Sequence, residues 1–165
     1  MNTYLILSIA GAAFFSVCLA LLLVRFGIPT SLSESYYNLG GKDGKGILFY
    51  GMLAVTVFLM LTPMVEAAQF WGFLCGAGLL FVGAAPAFKG DSGIDKIIHP
   101  ISAAVCGITS FMTLLQVRLW WLDIITIAAA VGLALWTKTA KTCYIFWLEM
   151  AAFYGLFAGM IIHFA

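Results

Sequence analysis

Apolar positions in this chain fall into long unbroken runs, without the strict alternation of half-buried strands. Six runs stand out: Tyr4 to Val24, Gly46 to Thr62, Ala67 to Ala85, Pro100 to Gln116, Leu119 to Thr137 and Cys143 to Phe164. A helix crossing a bilayer core needs about 17 to 25 such residues, and each run meets that length. Pro63 and Pro86 mark the expected ends of the second and third. Most connections are short, so consecutive helices are expected to lie side by side and antiparallel. The expectation is one all-α domain over residues 1–165, an integral membrane bundle of six transmembrane helices.

The longest connection reads PTSLSESYYNLGGKDGKG. Ser31 and Glu34 have capping-box spacing, and Gly40 and Gly41 supply a stop, so a short interfacial helix is expected between them. Tyr36 and Tyr37 are expected at headgroup level, either as an ordinary aromatic belt or as part of a lid over a polar site.

Composition agrees with a membrane location: 64% of residues are hydrophobic, 9% are charged, and the mean hydropathy is +1.08. No basic residue precedes the first run, whose apolar stretch is too long for a signal peptide, so it reads as a retained helix. The net charge of +1 conceals an uneven distribution of Lys and Arg. Arg25, Lys42, Lys45, Lys89, Lys96, Lys138 and Lys141 fall in or beside the first, third and fifth connections, against Arg118 alone on the other side. That bias predicts cytoplasmic odd-numbered loops and both termini outside. With no basic tail or patch, the sequence gives no reason to expect nucleic acid as a partner; membrane lipids are the expected surroundings. Cys18, Cys75, Cys106 and Cys143 fall one to an apolar segment with no CxxC, and read as small apolar residues. No cofactor or metal is expected. Gly72 with Gly76, and Gly155 with Gly159, form GxxxG pairs suited to close helix contacts within the bundle or in a homo-oligomer.

Two features carry candidate chemistry. In the fourth run His99, Ser102, Cys106, Thr109, Thr113 and Gln116 are spaced 3, 4, 3, 4, 3, which places them on one helical face. His99 is expected to cap the helix, with Pro100 in its first position. The face reads either as small-residue packing with hydroxyls bonded back to the helix, or as the lining of a hydrated or ligand-holding cavity. The second feature is Glu149, in YIFWLEMAAFYGLFAG, with no charged or amide side chain among its neighbours. Eight residues from Lys141 place it about 12 Å inside the membrane. An isolated charge there costs at least ~2.5 kcal/mol on insertion scales, so the carboxyl is neutral, hydrogen-bonded or wet. Its expected partners are the hydroxyls of the fourth run, Tyr50, Tyr154, the Tyr36–Tyr37 pair or His99. Asp91 and Asp95 in the third connection, with Ser33, Glu34, Tyr36 and Tyr37 in the first, are expected to form a cytoplasmic mouth.

In PTSLSESYY, and in FVGAAPAF followed by HPISAA, the chain resembles small bacterial membrane proteins of uncharacterised families. These are similar in a serine-containing stretch after the first helix, a glycine and proline near the end of the third, and a histidine opening the fourth. The resemblance covers about residues 29 to 104 and implies a bacterial inner-membrane location, but no activity. A more distant similarity to membrane lipid hydrolases fails for want of histidines. His99 and His163 are the chain's two, expected at opposite membrane faces and therefore about 30 Å apart. The function expected is binding or movement of a small solute or ion through the polar face of the fourth run, linked to protonation of Glu149. The alternatives are an accessory or assembly protein without chemistry, and a lipid-active hydrolase.

Overall fold

The computed structural model describes residues 2–41, 44–84 and 95–165, and side chains in the segment 95–100 lie outside that description. The described chain is all-helical: α1 (Thr3–Phe26), α2 (Glu34–Asn38), α3 (Ile47–Ala84), α4 (Asp95–Gln116), α5 (Trp121–Trp136) and α6 (Tyr144–Phe164). Three of these are long and apolar enough to cross a membrane, namely α1, α3 and α6.

The 38-residue α3 is two helices joined at a sharp bend, where Ala68 and Gln69 leave helical geometry and Gln69 takes φ 31°. The arms fold back on each other. A Cβ on Gly72 would collide with the Met64 carbonyl, one on Gly76 would lie 2.7 Å from Leu61, and one on Gly83 would lie 3.1 Å from Leu53. Glycine at 72 is therefore what lets the second arm leave the bend so close to the first. Pro63 does not end the first arm; it sits buried inside the helix, which runs on to the bend. A proline there removes one backbone bond, and burial in the core outweighs the loss.

α4 also departs from expectation. It begins at Asp95, so His99 and Pro100 lie inside the helix and His99 is not its cap. Early in a helix Pro100 forgoes one bond, which the rest of α4 tolerates. The turns after α4 and α5 place Arg118 (φ 61°) and Lys138 (φ 57°) in left-handed geometry without glycine. Each closes a Schellman motif, with Leu119 N–H bonded to the Leu114 carbonyl at 2.8 Å and Thr139 N–H to that of Ala134 at 2.9 Å.

Consecutive helices are not all close neighbours. α3 packs on α1 and α4, and α6 receives α1, α4 and α5, but no comparable packing joins α4 to α5. The cause is the small-residue side of α6, where Gly155 faces Asp123 and Thr126 of α5 while Gly159 faces Leu114 of α4 and Leu122 of α5. Both GxxxG pairs are thus occupied by contacts inside the chain. At one end of the bundle Asn2 Nδ2 donates to the Phe164 carbonyl (3.4 Å) and Tyr4 to Glu66 (3.3 Å), bringing together the start of α1, the bend of α3 and the end of α6. The buried core joins Phe15, Leu53, Met60, Met64, Phe146 and Met160, and Phe15 stacks on Phe153 with ring centroids 4.5 Å apart.

Candidate functional site

The segment between α1 and α2 is tied to the first turns of α6. α1 ends at Gly27, which takes φ 77° and donates its N–H to the Leu23 carbonyl. Beyond it, alternate residues meet α6 at three-residue intervals. Cys143 Sγ donates to the Ile28 carbonyl (3.7 Å), Phe146 N–H to the Thr30 carbonyl (3.2 Å), and Leu32 N–H to Glu149 Oε2 (2.6 Å). The Phe146 N–H belongs to the first helical turn, where no carbonyl of the same helix can accept it, so the loop satisfies the helix start. Leu32 is buried and holds the loop in place.

Glu149 therefore has a partner, but none of those the sequence suggested. Its acceptor oxygen binds a backbone N–H, a strong charge-assisted arrangement when the carboxylate is ionised. Tyr154 instead bonds Ser16 of α1 at 3.0 Å, and Tyr50 is exposed. The two threonine hydroxyls of α4 are also engaged elsewhere. Thr109 Oγ1 donates to the Val105 carbonyl at 2.7 Å and Thr113 Oγ1 to that of Thr109 at 2.8 Å, both within α4, and both residues are buried. Ser102 is buried on the same helix, and Gln116 is exposed at its end. The spacing did put these groups on one face, but for the two threonines that face is packed, with the hydroxyls serving their own backbone.

Of the expected mouth, the residues of the first connection are described. Ser33 occupies the N-cap position of α2 but makes no side-chain cap bond. The capping box expected of Ser31 and Glu34 does not form. Ser31 Oγ contacts Ser33 Oγ at 3.1 Å, and Glu34 reaches back to the Thr30 N–H (2.5 Å) and hydroxyl (2.9 Å). The box is shifted because the helix begins two residues later than expected. The tyrosine pair divides: Tyr36 is buried, lying where a Cβ on Gly46 would come within 2.8 Å, while Tyr37 is exposed and meets it edge-on. Asp91, and the side chains of Asp95 and His99, fall outside the described residues.

A largely apolar opening of about 410 Å³ lies between α1, α5 and α6, and a smaller one lies beside Glu149. A cavity of about 200 Å³ is bounded by Leu32, Cys75, Cys106, Ser110, Glu149 and Phe153, drawn from the first loop, α3, α4 and α6. Its walls are otherwise apolar, and Cys75 Sγ makes a long bond to the Cys106 carbonyl at 3.9 Å. A second cavity of about 150 Å³ adjoins it, sharing Gly107, Ser110, Leu148 and Ala152 and adding Asp123. Ser110 Oγ and Asp123 Oδ2 are buried without a hydrogen-bond partner among the described residues. Neither residue was singled out from sequence. Ser110 follows Cys106 by four, a spacing as good as the one leading to Thr109, and Asp123 precedes Thr126 by three opposite Gly155. These were the available signals.

Among the described residues no three His, Cys, Asp or Glu side chains gather as a metal site would require. No protein-family model, curated protein or solved structure matches the chain.

Proposed function

We propose that this is a multi-pass membrane protein that binds a small solute or ion in the Glu149 cavity and exchanges a proton at that carboxyl. The observation that carries the reading is the combination of one acid, one backbone donor and open volume. Glu149 is bonded to Leu32 N–H and also borders a cavity of about 200 Å³ that continues past Ser110. A buried carboxyl that borders open volume can meet a ligand or water there, which an acid deep in an apolar bundle needs if it is to ionise. In this reading the chain crosses a bacterial inner membrane six times, with the two arms of α3 as separate spans and both termini outside. Support comes from Arg25, Lys45, Lys138 and Lys141, all in or beside the connections at the end of the bundle opposite Asn2, Glu66 and Phe164. The loop carrying Leu32, Ser33, Glu34, Tyr36 and Tyr37 forms the cytoplasmic closure. The route runs past Cys106 and Ser110 and not along Thr109 and Thr113, whose hydroxyls are committed to their own helix.

One observation favours a second reading, an accessory protein without chemistry: the Leu32–Glu149 bond pins a loop to a helix, which is a structural task by itself. Proteoliposomes containing a pH-sensitive dye separate the two. Under an imposed potential the wild type is expected to pass protons faster than empty vesicles, and Glu149→Gln, which keeps an acceptor for Leu32, is expected to return to the empty-vesicle rate. A wild type no faster than empty vesicles, or a variant equal to the wild type, contradicts the proton-linked reading.

A further inference from the structure

The second cavity goes beyond the Glu149 site: it shares Ser110 and part of one wall with that site, but its own acid is Asp123. Its floor holds two acceptors with nothing to accept. Ser110 is 3% exposed, and its Oγ has no partner among the described residues; Asp123 Oδ2 is shielded and equally unpartnered. The fold makes room for this acid. A Cβ on Gly155 would lie 2.7 Å from Asp123 Oδ1 and 3.1 Å from Thr126 Oγ1, so only a glycine on α6 lets the carboxyl sit against that helix. A buried polar atom left unpaired destabilises the fold, and retaining two around one cavity points to a ligand that satisfies both.

The surroundings select the ligand chemistry. The rim is apolar and outward-facing, with Phe111, Ile127 and Leu148 all about half exposed, in the gap where α4 and α5 fail to pack on one another. Asp123 sits in the first turn of α5, two residues after exposed Trp121 and three after exposed Trp120, residues suited to the headgroup level. Ser110 lies about 9 Å in from the end of α4. A hard inorganic cation takes about six or more oxygen ligands, so two side chains would leave most of its shell to water beside an apolar rim. A primary ammonium carries three N–H donors on a compact charge and needs only a few acceptors. We propose that the Ser110–Asp123 cavity binds a primary ammonium group attached to an apolar body, the ammonium held by Asp123 and Ser110 and the body lying along Phe111, Ile127 and Leu148. Two sources share this chemistry, the headgroup of an aminophospholipid and a small free alkylamine. A quaternary ammonium, having no N–H, leaves both acceptors unsatisfied.

Lipid retention and ligand-induced stabilisation test the assignment. The intact protein, in nanodiscs of equal phosphatidylethanolamine and phosphatidylcholine, is released for native mass spectrometry; separately, it is melted in detergent with hexylamine or hexanol. Retention of phosphatidylethanolamine over phosphatidylcholine by on the order of tenfold assigns the lipid source, since hydrogen bonds to charged groups have that strength. Stabilisation by hexylamine beyond that by hexanol assigns the free amine, and both together assign both. Asp123→Asn is expected to abolish the preference and Ser110→Ala to weaken it several-fold, whereas Glu149→Gln leaves it intact, which separates this site from the proton-exchange reading. Ser110→Ala removes only one hydroxyl and covers the case in which Asp123→Asn fails to fold. No preference in either arm of the wild type, or a preference that survives both Asp123→Asn and Ser110→Ala, overturns the proposal.

Discussion

Glu149 and Asp123 are two carboxyl groups within the same helical bundle, bordering adjoining cavities and sharing Ser110 between them, yet they are held in opposite ways. Glu149 accepts a short bond from Leu32 N–H, donated by a loop that is itself stitched to α6 at two further points. Asp123 is given space by Gly155 and has one oxygen with no partner among the described residues. The difference separates a carboxyl whose donor is supplied by the chain from one that, in the proposal above, keeps a place for a donor from outside. It also divides the two tasks, with Glu149 closing one end of the molecule and Asp123 facing a gap between helices.

Filling the space kept for Asp123 is expected to have the largest effect. Gly155→Val drives a branched side chain into the carboxyl and Thr126, and overpacking of this kind destabilises by about 1–3 kcal/mol. Thermal melting in detergent checks it; an unchanged melting temperature would mean that α5 does not rest on α6 as described. Next comes Glu149→Leu, which strands the Leu32 N–H and is expected to destabilise by about 1–3 kcal/mol, while Glu149→Gln stays within about 0.5 kcal/mol of the wild type. Equal melting of the two variants would remove the special standing of the Leu32 bond.

Asp123→Asn sharpens the contrast, because no hydrogen bond to Oδ2 is lost. Its expected effect on stability without ligand is under about 0.5 kcal/mol, the loss of an acidic group near a helix start being offset by one fewer buried charge. The smallest effect belongs to Thr109→Val with Thr113→Val. Both hydroxyls bond carbonyls of their own helix, so the double variant is expected to melt and to pass protons as the wild type does. Loss of proton passage in that variant would restore the threonine face as the route.

The helical segments were legible because long apolar runs admit few other structures, and their described ends were read to within a few residues except around Pro63 and Pro100, while the stop expected at Pro86 lies outside the described residues. Those two failed for one reason: proline disfavours a helix interior only locally, and the rest of the helix, with its burial in the core at Pro63, outweighs the lost bond. The position of Glu149 could also be read, since an acid deep in an apolar run has to turn inward. Its partner could not. A backbone N–H has no signature in sequence, and Leu32 looks like any other loop leucine until the loop is docked on α6. Asp123 was overlooked because it stands near the end of its run, where an acid passes for an interfacial residue, and Ser110 because the count along α4 branched at Cys106 toward Thr109. The splaying of α4 from α5 was equally hidden, for connection length sets which helices can pack together, and the small residues of α6 decided which do.

The central claim is that the Glu149 carboxyl, although bonded to Leu32, exchanges a proton with the cavity beside it. Infrared spectroscopy of the protein in bilayers, followed through a pH titration, addresses this directly through the carbonyl stretch that only a protonated carboxyl shows. The account predicts a band that fades as pH rises and that is missing from Glu149→Gln but retained in Asp123→Asn. Spectra of the wild type and Glu149→Gln that change identically with pH would contradict it, leaving Glu149 as a fixed clasp for the first loop.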